Sequence, residues 1–569
     1  MNEANGSGGC GGFENNRLQR QKITLRNNRK MNNSCAKASQ TPVGGTPQMV
    51  VGEALSSWRK YFSDESRKEG DADCIALPQN AEEVAVALRE AAKNGWSVTI
   101  SGARTGITAA AVPDGGLVLS LERMNHVLGL RKNERGEFFV RCEAGVRLGD
   151  LQKSLQTGMF ADSANWPEES RALLTELREA KLFYPPDPTE TSASIGGTVA
   201  CNASGAHTFG YGPTRPYVEA MHVILADGSS LNLRRGEWMA TDDGSFLLQT
   251  PDGTILNGKM PSYPWPKTKS AAGYFSGGRD VMDLFIGSEG TLGVVTDVEL
   301  RLVPRPERSI MVMCFWADEA TALKFVHALR AERKQLGLEA VEYFGADALD
   351  MLRERRRLLG AASGVPSCLE DDMRHGVFLD VGCAVADEHA VLQRLQEIIR
   401  SLGGDAGKCW CATENDTRER LRLFRHALPE TVNGLIAQIR RQYPAVTKLG
   451  TDMAVPDDRL EEYVAMFHEE LGAAGLRYVT FGHVGDNHLH VNILPRNPDE
   501  YAKGKALYFD LAKRVVTMGG SPAAEHGIGK LKTNFLELLI GKKGVEEMRA
   551  VKALFDPRGM LGPKTLIDF

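Results

Sequence analysis

The sequence lacks several features that would assign it to a common class. Although it has ten cysteines among 569 residues, it has no CxxC pair. Cys409 and Cys411, with one residue between them, are poorly spaced for a metal site or an iron–sulfur cluster. We therefore expect reduced, mostly buried cysteines in a cytoplasmic protein. Apolar runs such as Val218 to Leu225 are far too short to span a bilayer. The formal net charge of -5, without a block of like charge, argues against a nucleic-acid partner.

The amino-terminal segment, residues 1–47, lacks a hydrophobic face and is predicted to be a disordered tail. Residues 6–12 are rich in glycine, and residues 16–33 are dense in Asn, Arg and Lys. Because no apolar core is present, the segment is not a secretory signal, while organellar targeting and Met31 as the true start are left open. The rest of the chain is long enough for several domains, each with its own core.

The most informative segment is the run from Gly482 to Asn492, which holds three histidines. From His488 onward, polar and apolar residues alternate, which predicts a strand with His488, His490 and Asn492 on one face. The opposite face, which is predicted to be buried, carries Leu489, Val491 and Ile493. Clustered imidazoles are costly to bury unless each nitrogen has a partner. A divalent metal completed by Glu525 is such a partner, and a hydrogen-bonded cluster without a metal is the alternative.

Three loops rich in small residues occupy residues 101–108, 194–205 and 284–296. The first directly follows a predicted strand at 96–100, and the second is entered by the extended, proline-rich segment 184–188. Small residues let backbone N–H groups approach a ligand closely. Each loop taken singly is compatible with a structural turn. Together they indicate a long, extended cofactor that lies against the backbone.

Local signals also predict individual elements. Asn80 and Glu83 form a capping box at the start of a helix that ends at Gly95. The segments 217–225 and 230–233 read as a hairpin around Asp227-Gly228. An acidic, helical insertion is predicted between Asp162 and Lys181.

These motifs resemble a known family. SGARTGIT, PPDP, SIGG, NASG, YGPTR, ADG and FIGSEGTLGVVT, in this order, resemble the flavin-binding domain of the vanillyl-alcohol oxidase/p-cresol methylhydroxylase family of FAD-linked oxidases. GHVGDNHLHVN, AEHGIGK and FDPRGML resemble its D-2-hydroxy-acid subgroup, which includes D-lactate dehydrogenases, the glycolate oxidase flavoprotein subunit and D-2-hydroxyglutarate dehydrogenase. The resemblance covers roughly residues 50–565.

The resemblance implies an α+β fold with a two-lobed FAD-binding domain of the p-cresol methylhydroxylase type. We expect the FAD domain over residues 48–305 and a cap or substrate domain over 306–497, built on a mostly antiparallel sheet. The motif Pro304-Arg305-Pro306 marks the linker between them. A helical segment over 498–569 is expected to pack back on the FAD domain and to bring Glu525 and His526 to the site.

The resemblance also implies the site residues. Contacts to FAD are expected from Ser101, Gly102, Ala103, Arg104, Thr105, Gly106, Thr108, Pro186, Asp187, Ser194, Gly197, Asn202, Ala203, Ser204, Gly205, Glu289, Gly290 and Val295. The metal ligands, for zinc or manganese, are expected to be His483, His490 and Glu525. The expected catalytic residues are His526 as proton acceptor, Arg425 on the substrate carboxylate, Asn492 and Lys269. Attachment of FAD is expected to be non-covalent, because the loops near Ser101 and Arg104 offer no histidine.

The chain departs from the family pattern at three places. His488 replaces an asparagine of the relatives, so it either competes as a ligand or supports the ligands from outside. Gly562 and Lys564 stand in an altered motif, which puts flavin contacts there in doubt. The insertion at 162–181 is not part of the common pattern.

The implied activity is oxidation of a D-2-hydroxy acid by hydride transfer to FAD, assisted by the metal. The electron acceptor (a quinone, a cytochrome, an electron-transferring flavoprotein or oxygen) and the particular hydroxy acid are left open, as are a homodimer and a peripheral membrane location. Two other hypotheses are a metal-dependent hydrolase, which leaves the three loops unexplained, and a non-catalytic FAD-binding subunit.

Overall fold

The structure, a computed structural model, describes residues 45–569. The predicted tail up to residue 44, and with it Met31 as a start, lies outside the described residues. The fold is α+β, with two lobes in the amino-terminal half and a large antiparallel sheet in the second half, as predicted. Within residues 45–569, no helix combines the length and the apolar character that crossing a membrane requires.

Between residues 45 and 305, the amino-terminal half has thirteen short strands and five α-helices. The strands are β1 (Gln48–Val51), β2 (Cys74–Leu77), β3 (Val98–Ser101), β4 (Leu117–Ser120), β5 (Val127–Lys132), β6 (Phe138–Glu143), β7 (Leu182–Phe183), β8 (Val218–Ile224), β9 (Ser230–Arg234), β10 (Ser245–Gln249), β11 (Ile255–Lys259), β12 (Val294–Arg301) and β13 (Val303–Pro304). The α-helices are α1 (Ala81–Asn94), α2 (Leu148–Thr157), α3 (Glu168–Ala180), α4 (Ile195–Ala200) and α5 (Thr208–Tyr211).

The two lobes are built on separate sheets. The first has the order β1-β2-β4-β3, with β2, β4 and β3 parallel, and α1 packs on it. The second has the order β5-β6-β12-β8-β9 and is antiparallel. The loop after β3 and the loop before β12 therefore leave different lobes and meet between them.

Local sequence signals are confirmed in this half. The Asn80 side chain accepts from the Glu83 N–H at 2.9 Å, and Gly95 ends α1 in the left-handed conformation. The hairpin predicted around Asp227-Gly228 is β8–β9. The acidic insertion contains α3, which packs against β5. One contact between them is a hydrogen bond from Ser170 Oγ to the Leu130 carbonyl at 2.7 Å.

The second half carries eight strands of one sheet. The strands are β14 (Arg308–Trp316), β15 (Leu338–Phe344), β16 (His375–Cys383), β17 (Trp410–Ala412), β18 (Leu449–Gly450), β19 (Met453–Ala454), β20 (Tyr478–His483) and β21 (His488–Ile493). The α-helices are α6 (Glu319–Ala331), α7 (Ala346–Leu359), α8 (Glu388–Ser401), α9 (Asn415–Gln442), α10 (Leu460–Ala474), α11 (Pro498–Thr517) and α12 (Thr533–Phe555).

The large sheet is antiparallel throughout, in the order β17-β14-β16-β15-β20-β21-β18, with β19 also paired to β21. β21 is the strand predicted from His488 onward. Its side chains Leu489, Val491 and Ile493 are fully buried, as the alternation predicted.

The carboxyl-terminal segment divides between the two halves. Leu511, Ala512 and Val515 of α11 pack in the core of the large sheet, so this helix does not pack on the FAD domain as was expected for all of 498–569. The next helix, α12, does so: Leu536 and Phe555 lie in the core of the amino-terminal half. The loop between these helices, which holds Glu525, consequently runs along the junction of the two halves.

Candidate active site

A long cavity opens where the three small-residue loops meet. The first loop follows β3, the second contains α4 and the third precedes β12. Predicted FAD-binding residues that line the cavity are Gly102, Ala103, Arg104, Thr105, Gly106, Thr108, Ser194, Gly197, Ala203, Ser204, Glu289, Gly290 and Val295. Glu525 and His526 also line it, so the cavity reaches the histidine segment.

The wall of the cavity consists largely of peptide backbone, because the loops lie too close together to leave room for side chains. A Cβ added at Gly196 would lie 2.5 Å from Ala144 Cβ, and one added at Gly102 would lie 2.4 Å from Ser194 Oγ. Side chains are therefore excluded where the loops cross, and the wall offers peptide groups and small residues to a ligand. An extended, flat cofactor fits such a wall, and the residues present fit FAD.

The remaining predicted FAD contacts support the wall without lining the cavity. Ser101 is fully buried and its hydroxyl accepts from Arg104 Nη1 at 3.3 Å. The Asp187 carboxylate accepts from the His207 N–H at 3.1 Å. Asn202 lines a neighbouring cavity of about 420 Å³ instead. Pro186 and Gly205 are not among the residues that line the cavity, and the Gly205 carbonyl accepts from Lys269 Nζ at 3.2 Å.

Several lining residues were missed from the sequence. They include Asp64, Pro188, Thr189, Glu190, Ala193, Thr198 and Cys201. Most of them lie between or beside the recognised motifs, and their position next to those motifs could have identified them as lining residues. Gly562, whose contact was in doubt, also lines the cavity, with a left-handed backbone at φ 57°.

The histidine segment forms a hairpin beside this cavity. His483 ends β20 directly opposite His488, and His490 follows two residues later on the same face of β21. Glu525 enters from the loop between α11 and α12. Its carboxylate oxygens lie 3.6 Å from His483 Nε2, 3.7 Å from His488 Nδ1 and 3.9 Å from His490 Nε2.

The spacing of this cluster fits a metal ion. Separations of 3.6 to 3.9 Å are too long for hydrogen bonds. They are close to the ~3.4 Å that separates two ligands of a tetrahedral zinc ion with bonds of about 2.1 Å. His483 Nδ1 lies 2.9 Å from Glu342 Oε1, and His490 Nδ1 lies 3.4 Å from the Thr451 carbonyl. Such outer partners orient the imidazoles of metal-binding histidines.

A lysine already pairs with the carboxylate of the cluster. Lys269, which is almost completely buried, donates to Glu525 Oε1 and lies 3.7 Å from Asp486 Oδ2. Burial alone would lower the pKa of Lys269, and the charges of Glu525 and Asp486 outweigh it and raise that pKa. The predicted catalytic Lys269 thus lies next to a predicted metal ligand. Asn492 lies on the same strand face as His490, with Nδ2 3.5 Å from the His490 carbonyl.

A buried carboxylate, Asp452, organises the other side of the site. It accepts from the N–H groups of Glu525 and His526 at 3.0 and 3.1 Å, and from Lys532 Nζ at 2.8 Å. Although burial disfavours its charge, His526 and Lys532 hold the pKa of Asp452 well below its usual range. His526 Nδ1 lies 3.3 Å from Asp452 Oδ2. Burial lowers the pKa of His526 to about 4 despite this carboxylate.

Arg425 has a protein carboxylate as its partner. It extends from α9 and donates through Nε and Nη2 to both oxygens of Glu342, with 2.6 Å between Nη2 and Oε1. The same Glu342 orients His483. Arg425 therefore connects to the histidine cluster through one buried carboxylate. Burial alone would raise the pKa of Glu342, but Arg425 and His483 outweigh burial and hold that pKa below its usual range.

Glu342 and Asp452 were not predicted from the sequence. Glu342 shares the otherwise apolar stretch 338–344 with Glu339 alone, and Asp452 is the lone acid of residues 449–455. A buried charge needs a partner, so an isolated acid in a core strand is itself a signal of a polar site. His483, which contacts Glu342, and Glu525, whose N–H contacts Asp452, lie more than 70 positions away along the chain, so the sequence alone does not reveal these pairs.

Comparison with known proteins agrees with this geometry. The family model described as the FAD binding domain matches residues 72–166 and 168–234, and the model for the C-terminal domain of FAD linked oxidases matches residues 305–566. The fold and the cavity thus define a flavin-binding protein. The chain belongs to the FAD-linked oxidases.

Curated relatives resemble nearly the whole chain. It is 26% identical to the glycolate oxidase subunit GlcD of Bacillus subtilis, over 86% of this chain and 88% of the relative. It is 26% identical to D-lactate dehydrogenase of Anaerostipes hadrus, over 91% and 94%. It is 27% identical to D-2-hydroxyglutarate dehydrogenase of Stutzerimonas stutzeri, over 89% and 92%. Among solved structures, an alkyldihydroxyacetonephosphate synthase has the same fold, with a TM-score of 0.59, 14% identity, and coverage of 91% of this chain and 82% of that one.

Proposed function

We propose that this chain oxidises a D-2-hydroxy acid to the corresponding 2-oxo acid with FAD as the oxidant. One observation carries the proposal: Glu525 of the histidine cluster and the adjacent His526 line the cavity of the FAD-binding domain. A small substrate at this junction is within reach of both the cluster and the cavity. The names of the relatives, which refer to glycolate, D-lactate and D-2-hydroxyglutarate, support the same substrate class.

The oxidation removes a hydride from the substrate Cα and a proton from its hydroxyl group. FAD, when bound, supplies the hydride acceptor. His526 is proposed to take the proton at Nε2. Asp452, 3.3 Å from Nδ1, favours the tautomer with the proton on Nδ1 and leaves the Nε2 lone pair to the substrate. The same carboxylate stabilises the imidazolium that forms.

The histidine cluster is proposed to hold zinc or manganese through His483, His490 and Glu525. Such an ion, when bound, supplies a Lewis acid that lowers the pKa of the substrate hydroxyl. The protein fixes the ligands in advance: Glu342 orients the His483 ring, and the Thr451 carbonyl orients the His490 ring. Lys269 balances the charge of the Glu525 carboxylate.

Arg425, Asn492 and Lys269 are proposed to position the substrate. Because Glu342 holds Nε and Nη2 of Arg425, the plane of its guanidinium is fixed and the remaining nitrogen, Nη1, is assigned to the substrate carboxylate. Asn492 offers an amide on the strand face that carries His490.

Anaerobic mixing with a panel of D- and L-2-hydroxy acids tests the proposal. We expect at least one D-acid to bleach the visible absorbance of the bound flavin, with its L-enantiomer inactive. Purified protein that carries no flavin would instead support the metal-dependent hydrolase, and flavin that no hydroxy acid bleaches would support a non-catalytic subunit.

The attachment of FAD and the acceptor are tested separately. Acid precipitation should leave yellow flavin in the supernatant, whereas flavin in the pellet would show a covalent bond. Reoxidation of the reduced protein by oxygen, a quinone, a cytochrome or an electron-transferring flavoprotein, compared by stopped-flow absorbance, identifies the acceptor class.

A further inference from the structure

His488 is the one histidine of the hairpin that the family pattern does not account for. It begins β21, faces His483 across the hairpin and is completely buried. The His488 and His490 ring centroids are 4.4 Å apart, which is closer than either ring lies to that of His483. His488 therefore places a third imidazole inside the cluster and not beside it.

The surroundings of His488 match those of the two predicted histidine ligands. One ring nitrogen, Nε2, lies 3.2 Å from Asp452 Oδ1, and the other, Nδ1, faces Glu525 at 3.7 Å. His483 and His490 are arranged in the same way, each with one nitrogen on an outer acceptor and the other toward Glu525. One nitrogen from each histidine and one oxygen of Glu525 all lie within 4.8 Å of one another.

Both ring nitrogens of His488 lack a completed hydrogen bond despite full burial. A charged His488 that bridges Asp452 and Glu525 is the competing explanation. Both carboxylates already have a lysine partner, however: Lys532 Nζ lies 2.8 Å from Asp452, and Lys269 donates to Glu525. With both carboxylates already paired, His488 Nδ1 is left with no hydrogen-bond partner, and a metal ion beside Glu525 would supply one.

We propose that His488 Nδ1 is a fourth protein ligand, so that the cluster of this chain would bind its metal through three imidazoles and one carboxylate and would take the substrate hydroxyl as an additional, fifth ligand. This inference rests on the metal site of the proposed function and deepens it. Asp452 then supports His488 from outside, as Glu342 supports His483. Because imidazole ligands suit zinc and other late metals better than manganese, the added histidine shifts the preference of the site toward zinc.

X-ray absorption spectroscopy of the zinc-loaded FAD protein tests the ligand count directly. We expect the spectrum of the wild type to require three imidazole ligands and that of the variant His488→Asn to require two. In chelator competition, zinc affinity should fall by about 10-fold or more in His488→Asn, with a smaller change for manganese. His327→Asn, on the exposed surface of α6, is the matched control and should change neither value.

The possible outcomes separate this inference from the function. Two imidazoles in the wild type, or equal losses of zinc and manganese affinity, would overturn the role of His488 while leaving the metal site intact. Flavin reduced at the full rate by a D-2-hydroxy acid in metal-free protein would overturn the metal site itself, and His488 with it. If His488→Asn does not fold, judged by flavin content and melting temperature, the wild-type ligand count still decides.

Discussion

The two walls of the active site are built in opposite ways. The FAD-domain wall is peptide backbone from small-residue loops, and its contacts are steric, as at Gly196 against Ala144. The opposite wall is made of charged and ring side chains, among them Glu342, Asp452 and Glu525, held by mutual hydrogen bonds and ion pairs. The first wall should tolerate changes of charge better than changes of volume, and the second wall the reverse.

The largest effect is expected where a side chain of the second wall is removed. His490→Ala should slow substrate-driven flavin reduction by on the order of 100-fold or more, because one imidazole of the metal cluster is lost. FAD should remain bound, since His490 does not line the flavin cavity. Stopped-flow absorbance measures both. His327→Ala is the control, and loss of flavin together with rate would show that the two walls are not independent.

Metal removal should reproduce this loss without a mutation. Chelator-treated wild type should reduce its flavin about as slowly as His490→Ala, and added zinc or manganese should restore the wild type alone. A full rate in metal-free protein would make the cluster structural.

The outer carboxylate should have an intermediate effect. Asp452→Asn keeps the volume but removes the charge that holds His526 and Lys532, so flavin reduction should fall by roughly 10- to 100-fold with FAD retained. Asp510→Asn on the surface of α11 is the control. A rate within twofold of the wild type would contradict the organising role of Asp452.

A volume change in the first wall should act on the cofactor. Gly197→Val adds a branched side chain at a residue that lines the cavity. Even a Cβ added at Gly197 would lie only 2.9 Å from Ser194 Oγ. Crowding of about 1–3 kcal/mol corresponds to a loss of FAD affinity of roughly 5- to 150-fold. Flavin content after gel filtration measures it. Gly434→Ala, with open space around it in α9, is the control, and full occupancy in Gly197→Val would argue against this wall.

The smallest effect is expected at the bridge between the two halves. His207 precedes the first residue of α5. Its Nδ1 lies 2.8 Å from Asp187 Oδ2, and its Nε2 lies 3.0 Å from Asp380 Oδ2 on β16. Burial opposes the charge of His207, but the two carboxylates outweigh it and raise its pKa well above the ordinary value. Its stabilising contribution is therefore fully present below about pH 6.5, the unfolded pKa, and is lost as pH rises through the folded pKa.

Melting temperatures across pH test this bridge. His207→Gln should lower the melting temperature by roughly 2 °C near pH 6, with the difference from the wild type shrinking at alkaline pH. His389→Gln, exposed on α8, should show no such dependence. A constant difference at every pH would mean that His207 acts by packing and not by charge.

The same contrast explains how much the sequence could predict. Gly102 and Ser194 belong to continuous small-residue loops, so the sequence could predict that these loops form a wall for an extended ligand, and both residues line one cavity. The face of β21 followed from alternation alone. Glu342 and Asp452 could not be assigned, because their partners come from distant elements and only tertiary pairing reveals them. The division of the carboxyl-terminal segment was also missed, since Val515 and Leu536 both belong to helices with buried apolar residues, and only tertiary packing shows that their partners differ.

The position of α12 has a consequence for synthesis of the chain. Leu536, Met548 and Phe555 fill the core of the amino-terminal half, whose own sheets are complete once β13 has been made at Pro304. A nascent chain must therefore hold an open flavin-binding core while the entire second half is translated. Final closure of that core waits for α12, which follows Glu525 and His526 in the chain. Capture of the cofactor and completion of the catalytic loop thus become one late event, and chains cut short before α12 should be recognised by proteases as unfinished.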